Sequence, residues 1–214
     1  MNPKQTSGET FGLTFFGKMV ASISHEIKNS LAIIDGNAGL LGDYMHLMEK
    51  GRAVNPDRIV VLTGKIADHI HRADSLVQNL NQFAHSADLP RTRIDLCRLV
   101  ELMANITVRM AASHWATVSA RLPQEPVPVY TGAFVLLRLL IHCLEYMLKA
   151  EDEPRNIEVQ VQKHAEEAVI KLSGAKGLRD SETLFSADGR VIDMLRELEA
   201  SLLVDPDAGT ISIQ

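Results

Sequence analysis

The sequence predicts an α + α/β chain: a long helical hairpin followed by a smaller α/β sandwich. Three observations predict it. Apolar residues step by three and four along two long segments at the start. The character changes over 86–92, where Pro90 interrupts the pattern. Beyond that break, short alternating stretches interleave with helical ones.

The first segment runs from about Phe11 to Lys50, with apolar positions at Phe16, Met19, Val20, Ile23, Ile27, Leu31, Ile34, Ala38, Leu41, Met45 and Met48. That spacing predicts a helix of roughly ten turns. A polar link over 49–55 follows, and Asn55-Pro56 supplies an N-cap and a first-turn proline for a second helix. The second stripe is Ile59, Leu62, Ile66, Ile70, Ala73, Val77, Leu80 and Ala84. Two long helices on a short link form an antiparallel hairpin. One stripe on each arm cannot enclose a core, so a homodimer forming a four-helix bundle is expected.

After the break the pattern predicts a strand at Arg93–Leu96, a helix at Leu96–Ala112 and strands at Ala116–Leu122 and Val127–Tyr130. A strongly apolar helix at Gly132–Lys149 comes next, then a hairpin of Ile157–Lys163 and Glu167–Ser173. A helix at Arg190–Leu202 and a strand at Thr210–Ile213 close the chain. The expected layout places helices on one face of a mixed sheet, with domains at 1–88 and 89–214.

Composition narrows the function classes. With 46% hydrophobic and 23% charged residues in 214, a disordered, collagen-like or disulfide-stapled chain is excluded. A net charge of -5, from 27 acidic and 22 basic side chains, leaves no basic footprint, so no nucleic-acid partner is expected. No apolar run reaches the roughly 18 residues of a membrane helix. The longest candidate, Phe134–Leu144, is interrupted by Arg138 and His142, and Met1–Glu9 is polar. The expectation is a cytoplasmic protein without membrane contact. Cys97 and Cys143 show no CxxC spacing and read as small buried hydrophobes.

The sharpest local feature is Ser24-His25-Glu26-Ile27-Lys28-Asn29 in the first helix. At about 100° per residue, Ile23, Ile27 and Ile34 fall opposite His25, which therefore faces solvent. Its own face carries Lys18, Ala21, Ser22, Asn29, Ala32 and Gly36, all small or polar, leaving the imidazole open to a partner's surface. Glu26 and Asn29 lie within reach of a group attached to His25. An exposed imidazole beside a carboxylate is a nucleophile with a nearby proton acceptor, and a nitrogen nucleophile can accept and return a phosphoryl group. The bland alternative is a solvated histidine on a helix.

The residues around it decide between the two. Met19-Val-Ala-Ser-Ile-Ser-His25-Glu-Ile-Lys-Asn29-Ser-Leu-Ala-Ile-Ile34 resembles the H-box of bacterial sensor histidine kinases, with Ser30 where that family carries a proline. The resemblance covers about the first 88 residues. It implies a dimerisation and phosphotransfer hairpin, His25 as phosphoacceptor, Glu26 as adjacent base, and Asn29 orienting a water for dephosphorylation. It also implies response-regulator receiver domains as partners, docking over Lys18, Ser22, Lys28 and Gly36.

The second half looks like a reduced form of that family's ATP-binding domain. Leu136–Ala150 has the shape of its N-box helix, but the two asparagine positions read His142 and Tyr146. In Val169–Leu178, at the place of the family's Asp-x-Gly-x-Gly loop, the aspartate is Ser173, the first glycine is Ala175, and Gly177 alone remains. Leu184–Arg190 leads almost directly into the last helix with no glycine-rich lid. A phosphate cradle needs backbone N–H groups and a metal site, so no nucleotide or metal cofactor is expected here and Mg²⁺ is expected on the partner regulator. His142 reads as a core histidine, His69 and His71 as solvated, Glu151–Glu153 as a solvated loop, and Met45, Met48, Met103, Met110 and Met147 as core residues.

The expectation is a histidine phosphotransferase that moves phosphoryl groups between response-regulator aspartates without ATP. It resembles the stand-alone phosphotransferases that keep a kinase-like second domain, and no sensor segment is recognised before Phe11. The competing readings are a response-regulator phosphatase, a non-catalytic pseudokinase that binds a regulator or kinase, and a kinase with an unusual ATP site.

Overall fold

The computed structural model describes residues 3–149, 155–164, 167–175, 178 and 189–214, with no side-chain description for 3–11, 155 and 164. The expected acidic loop Glu151–Glu153, Gly177 and the 184–188 stretch lie outside the described residues. By contacts the chain forms two compact units, Met1–Asn81 and Gln82–Gln214.

The first unit is the hairpin. Helix α1 (Pro3–Glu49) begins earlier than the apolar pattern suggests, and α2 spans Pro56–His85. Gly51 closes α1 in the left-handed region at φ 71°, where its N–H donates to the Met48 carbonyl and that of Arg52 to Leu47. This pairing satisfies two terminal carbonyls, and glycine takes that φ without strain. Asn55 caps α2, its Oδ1 accepting from the Asp57 N–H at 2.9 Å.

The inner stripe differs from the expected one. In α1 Met19 and Ile23 are buried, and from Ile27 onward the more covered positions run Ile27, Ser30, Ile34, Asn37, Leu41 and Tyr44; in α2 they run Leu62, Ile66, His69, Ala73, Leu76 and Leu80. Steps of four and three alternate strictly, the seam of paired helices. Leu31, Met45, Met48, Ile70 and Val77, expected in the stripe, prove exposed instead. Met45 and Met48 are therefore not core residues of the single chain, and His69 is half-buried with Nδ1 shielded from solvent. His71 is exposed, as expected.

The second unit contains β1 (Thr92–Asp95), α3 (Leu96–Ser113), β2 (Ala116–Arg121), β3 (Pro128–Thr131) and α4 (Ala133–Leu148). Then come β4 (Arg155–His164), β5 (Glu167–Ser173), α5 (Gly189–Leu198), β6 (Leu202–Asp205) and β7 (Thr210–Ile213). Among the described residues the strands form a mixed five-stranded sheet ordered β2-β4-β5-β7-β6, with β2 parallel to β4 and the rest antiparallel. A separate two-stranded sheet pairs β1 with β3. The last helix ends four residues earlier than expected, because Leu202–Asp205 pairs with β7 as a strand.

Alternation along β4 sets the layers. Ile157, Val159 and Val161 are buried, while Glu158, Gln160 and Gln162 face the other way, with Gln162 donating to Gln160 at 3.1 Å. The buried face, continued by Ile170, Leu172, Ile211 and Ile213, belongs to the same core as α3 and α4. Asp95 caps α3, its Oδ1 accepting from Cys97 N–H at 3.1 Å and from Val127 N–H at 3.0 Å. One carboxylate thus ties a helix start to the lead-in of β3. No helix among the described residues is long and apolar enough to cross a membrane.

Two predictions arise here. Gly174 follows β5 at φ 110°, and a Cβ there would stand 2.1 Å from the Asn156 carbonyl oxygen. Gly174→Ala is expected to cost about 2–4 kcal/mol, read by urea unfolding. A cost under about 1 kcal/mol would mean that the backbone shifts freely there.

The thiol of Cys143 is fully buried in α4, and that burial pushes it up from 9.0 to about 12. Because the folded value is raised, this contribution to stability is whole below about pH 9 and is lost as pH rises toward 12. Cys143 is expected to resist alkylation at pH 8 in the folded chain and to react once the chain is unfolded. Equal rates in both states would contradict the burial.

Candidate phosphoacceptor site

His25, Glu26 and Asn29 sit within one turn of α1, where offsets of three and four bring side chains together. Nδ2 of Asn29 lies 3.2 Å from His25 Nδ1 and donates to Glu26 Oε1 at 3.3 Å. His25 and Asn29 are exposed, whereas the Glu26 side chain is only 19% exposed. The structure therefore brings together the three residues singled out in the sequence. The imidazole is exposed, with the exposed carboxamide beside it and the more covered carboxylate beyond.

A fourth member escaped the sequence reading. Arg72 of α2 donates through Nη2 to Glu26 Oε2 at 3.2 Å, across the hairpin. Nothing in the H-box points to a residue 46 positions away; the pairing follows from the register in which α2 returns along α1. Near the turn the same register brings Arg58 Nη1 within 3.4 Å of the Tyr44 hydroxyl.

The expected docking residues lie on α1, with Lys18, Lys28 and Gly36 exposed and Ser22 half-buried. Open space surrounds the Cα of Gly36, so a side chain added there would meet nothing in the chain itself.

In the second unit, His142 and Tyr146 are half-buried on α4. Ser173, which the sequence resemblance sets where an adenine-binding aspartate is expected, donates from Oγ to the Glu158 carbonyl at 3.4 Å, and Ala175 is buried. A hydroxyl turned onto its own sheet is a poor substitute for a carboxylate that accepts from an amino group. Among the described residues, no group of three or more His, Cys, Asp or Glu side chains is placed to hold a metal ion.

Two of the comparisons with known proteins find matches. Residues 17–88 match the His Kinase A (phospho-acceptor) domain family. A solved bacterial phosphotransferase is similar over 94% of this chain and 96% of its own, at 13% identity and a TM-score of 0.53. The Acinetobacter baumannii histidine kinase AdeS aligns over 88% of this chain and 94% of its own, at 13% identity and a TM-score of 0.49. Among curated protein sequences none matches. Residues 17–88 thus match the phospho-acceptor domain of histidine kinases, and the chain as a whole, a helical hairpin followed by an α/β sheet domain, shares its fold with that phosphotransferase.

Proposed function

We propose that this chain is a histidine phosphotransferase that carries phosphoryl groups between the aspartates of response-regulator receiver domains, with His25 as the carrier and no ATP of its own. The observation that carries this reading is the exposed His25 with Asn29 beside it and Glu26 bonded to Asn29, inside the segment that matches the phospho-acceptor family. The replaced residues at His142, Tyr146, Ser173 and Ala175 support the second half of the statement.

In the transfer, a ring nitrogen of His25 uses its lone pair to form the N–P bond. The P–O bond to the regulator's aspartate breaks, and the carboxylate leaves with the electron pair. The ring's remaining N–H becomes acidic as the ring gains positive charge, and Glu26, next in sequence, takes that proton as the adjacent base. The reverse sequence delivers the group to a second regulator. Mg²⁺ belongs to the acidic pocket of the receiver domain, where it offsets phosphoryl charge. Docking is over Lys18, Ser22, Lys28 and Gly36.

A homodimer is part of the same reading. Leu31, Met45, Met48, Ile70 and Val77 stay exposed beside the inner seam, and a second hairpin packed as a four-helix bundle covers such a face. Such a relay works in the cytoplasm, where receiver domains operate.

The test is label transfer from a panel of phosphorylated regulators, with ATP alone as control. Acid-labile label on the chain from a regulator, and none from ATP, is the expected result. Labelling from ATP would make it a kinase, and label that stays on every regulator would make it a binder. Asn29, with its amide 3.2 Å from His25 Nδ1, favours one further reading: phosphate release that needs Asn29 but survives loss of His25 would identify a phosphatase.

A further inference from the structure

The contact of Arg72 with the site reaches beyond holding two helices together. Glu26 Oε2 accepts from Arg72 at 3.2 Å, and Oε1 accepts from Asn29 Nδ2 at 3.3 Å. The same Nδ2 stands 3.2 Å from His25 Nδ1. An amide nitrogen donates and does not accept, and its two hydrogens meet the two acceptors. Nδ1 therefore accepts, and the proton of the neutral ring sits on Nε2. Turning the Asn29 amide over would set Oδ1 against Glu26 Oε1, two acceptors with no hydrogen between them. The carboxylate thus fixes the amide, and the guanidinium from the other helix fixes the carboxylate.

We infer that Arg72 is a positioning residue: acting through Glu26 and Asn29, it holds the resting His25 in the tautomer with the proton on Nε2. This deepens the phosphotransferase reading, and rests on it only for its kinetic consequence. Asn29 covers Nδ1, so Nε2 is the nitrogen that meets an incoming phosphoryl group, and a proton there occupies its lone pair. The reactive ring needs the other tautomer, in which water takes the Nε2 proton and supplies one to Nδ1 as the Asn29 amide turns over. A small change in the hairpin that separates Arg72 from Glu26 would release the amide and prime His25.

Ring ¹⁵N spectroscopy of the full chain, at a pH where the imidazole is neutral, reads the tautomer directly and needs no regulator. Nδ1 of wild-type His25 is expected at the position of an unprotonated nitrogen and Nε2 at that of a protonated one. In Arg72→Met the two signals should move toward each other, and in Arg72→Lys, which keeps a cation, they should stay near the wild-type positions. A wild-type ring protonated at Nδ1 would overturn the inference, as would an unchanged pattern in a folded Arg72→Met chain. Arg72→Gln serves the same comparison if the Met variant fails to fold.

Label uptake from a phosphorylated regulator is expected to rise roughly threefold in Arg72→Met, the scale of a partly exposed ion pair. Uptake that falls without any ring change would also overturn the positioning role. If the wild type takes up no label at all, the phosphotransferase reading fails, while the ring signals still decide the role of Arg72.

Discussion

Replacing His25 by Ala is expected to reduce label uptake from a phosphorylated regulator to background and to leave the chain folded. The side chain is exposed, and exposed substitutions usually change stability by no more than about 0.5 kcal/mol. The substitution removes the imidazole nitrogen that is the proposed carrier. Two other histidines provide the control. His46 Nδ1 lies 3.2 Å from Glu49 and His85 Nδ1 2.8 Å from Asp88, both exposed and both at helix ends. Histidine is favoured near a helix C-terminus by the dipole, which explains those pairs without any chemistry. His46→Ala and His85→Ala should therefore retain full uptake. Uptake that survives His25→Ala and disappears in one of these would move the acceptor.

The largest stability effect is expected at Phe83. It lies in the last turn of α2 yet belongs by contacts to the second unit, where it is 0% exposed and tilted against Phe134 at 6.1 Å. Phe83→Ala removes a large ring from a packed site, at a cost of about 3–5 kcal/mol. For a unit of this size that corresponds to a fall of roughly 10–15 °C in Tm. Thermal unfolding followed by circular dichroism measures it. A loss below about 1 kcal/mol would show that the core closes over the missing ring.

Much of the fold was legible because local patterns dictated it. Asn55-Pro56 marks the start of the second helix, and the alternation of Ile157, Val159 and Val161 marks a half-buried strand. The inner stripe of the hairpin was less legible. Ile70 and His69 are neighbours in sequence, and hydrophobicity alone favours Ile70 as the buried one. The pairing of the two helices decides otherwise, since only alternating steps of four and three keep facing the same partner. The β6 strand was hidden for a similar reason: Leu202–Asp205 is four residues long and continues an apolar helical pattern until β7 lies beside it.

Sequence alone determined that His25, Glu26 and Asn29 come together, because any helix brings residues three and four apart onto one face. It likewise determined the two-part architecture, through the change of period after Pro90. Only the tertiary structure decided that Arg72 closes the site from the second helix, that His69 turns inward, and that Phe83 packs with the second unit. Each of these depends on which residues of distant segments come to lie opposite one another. That register is set by packing across the fold, which a local pattern does not encode.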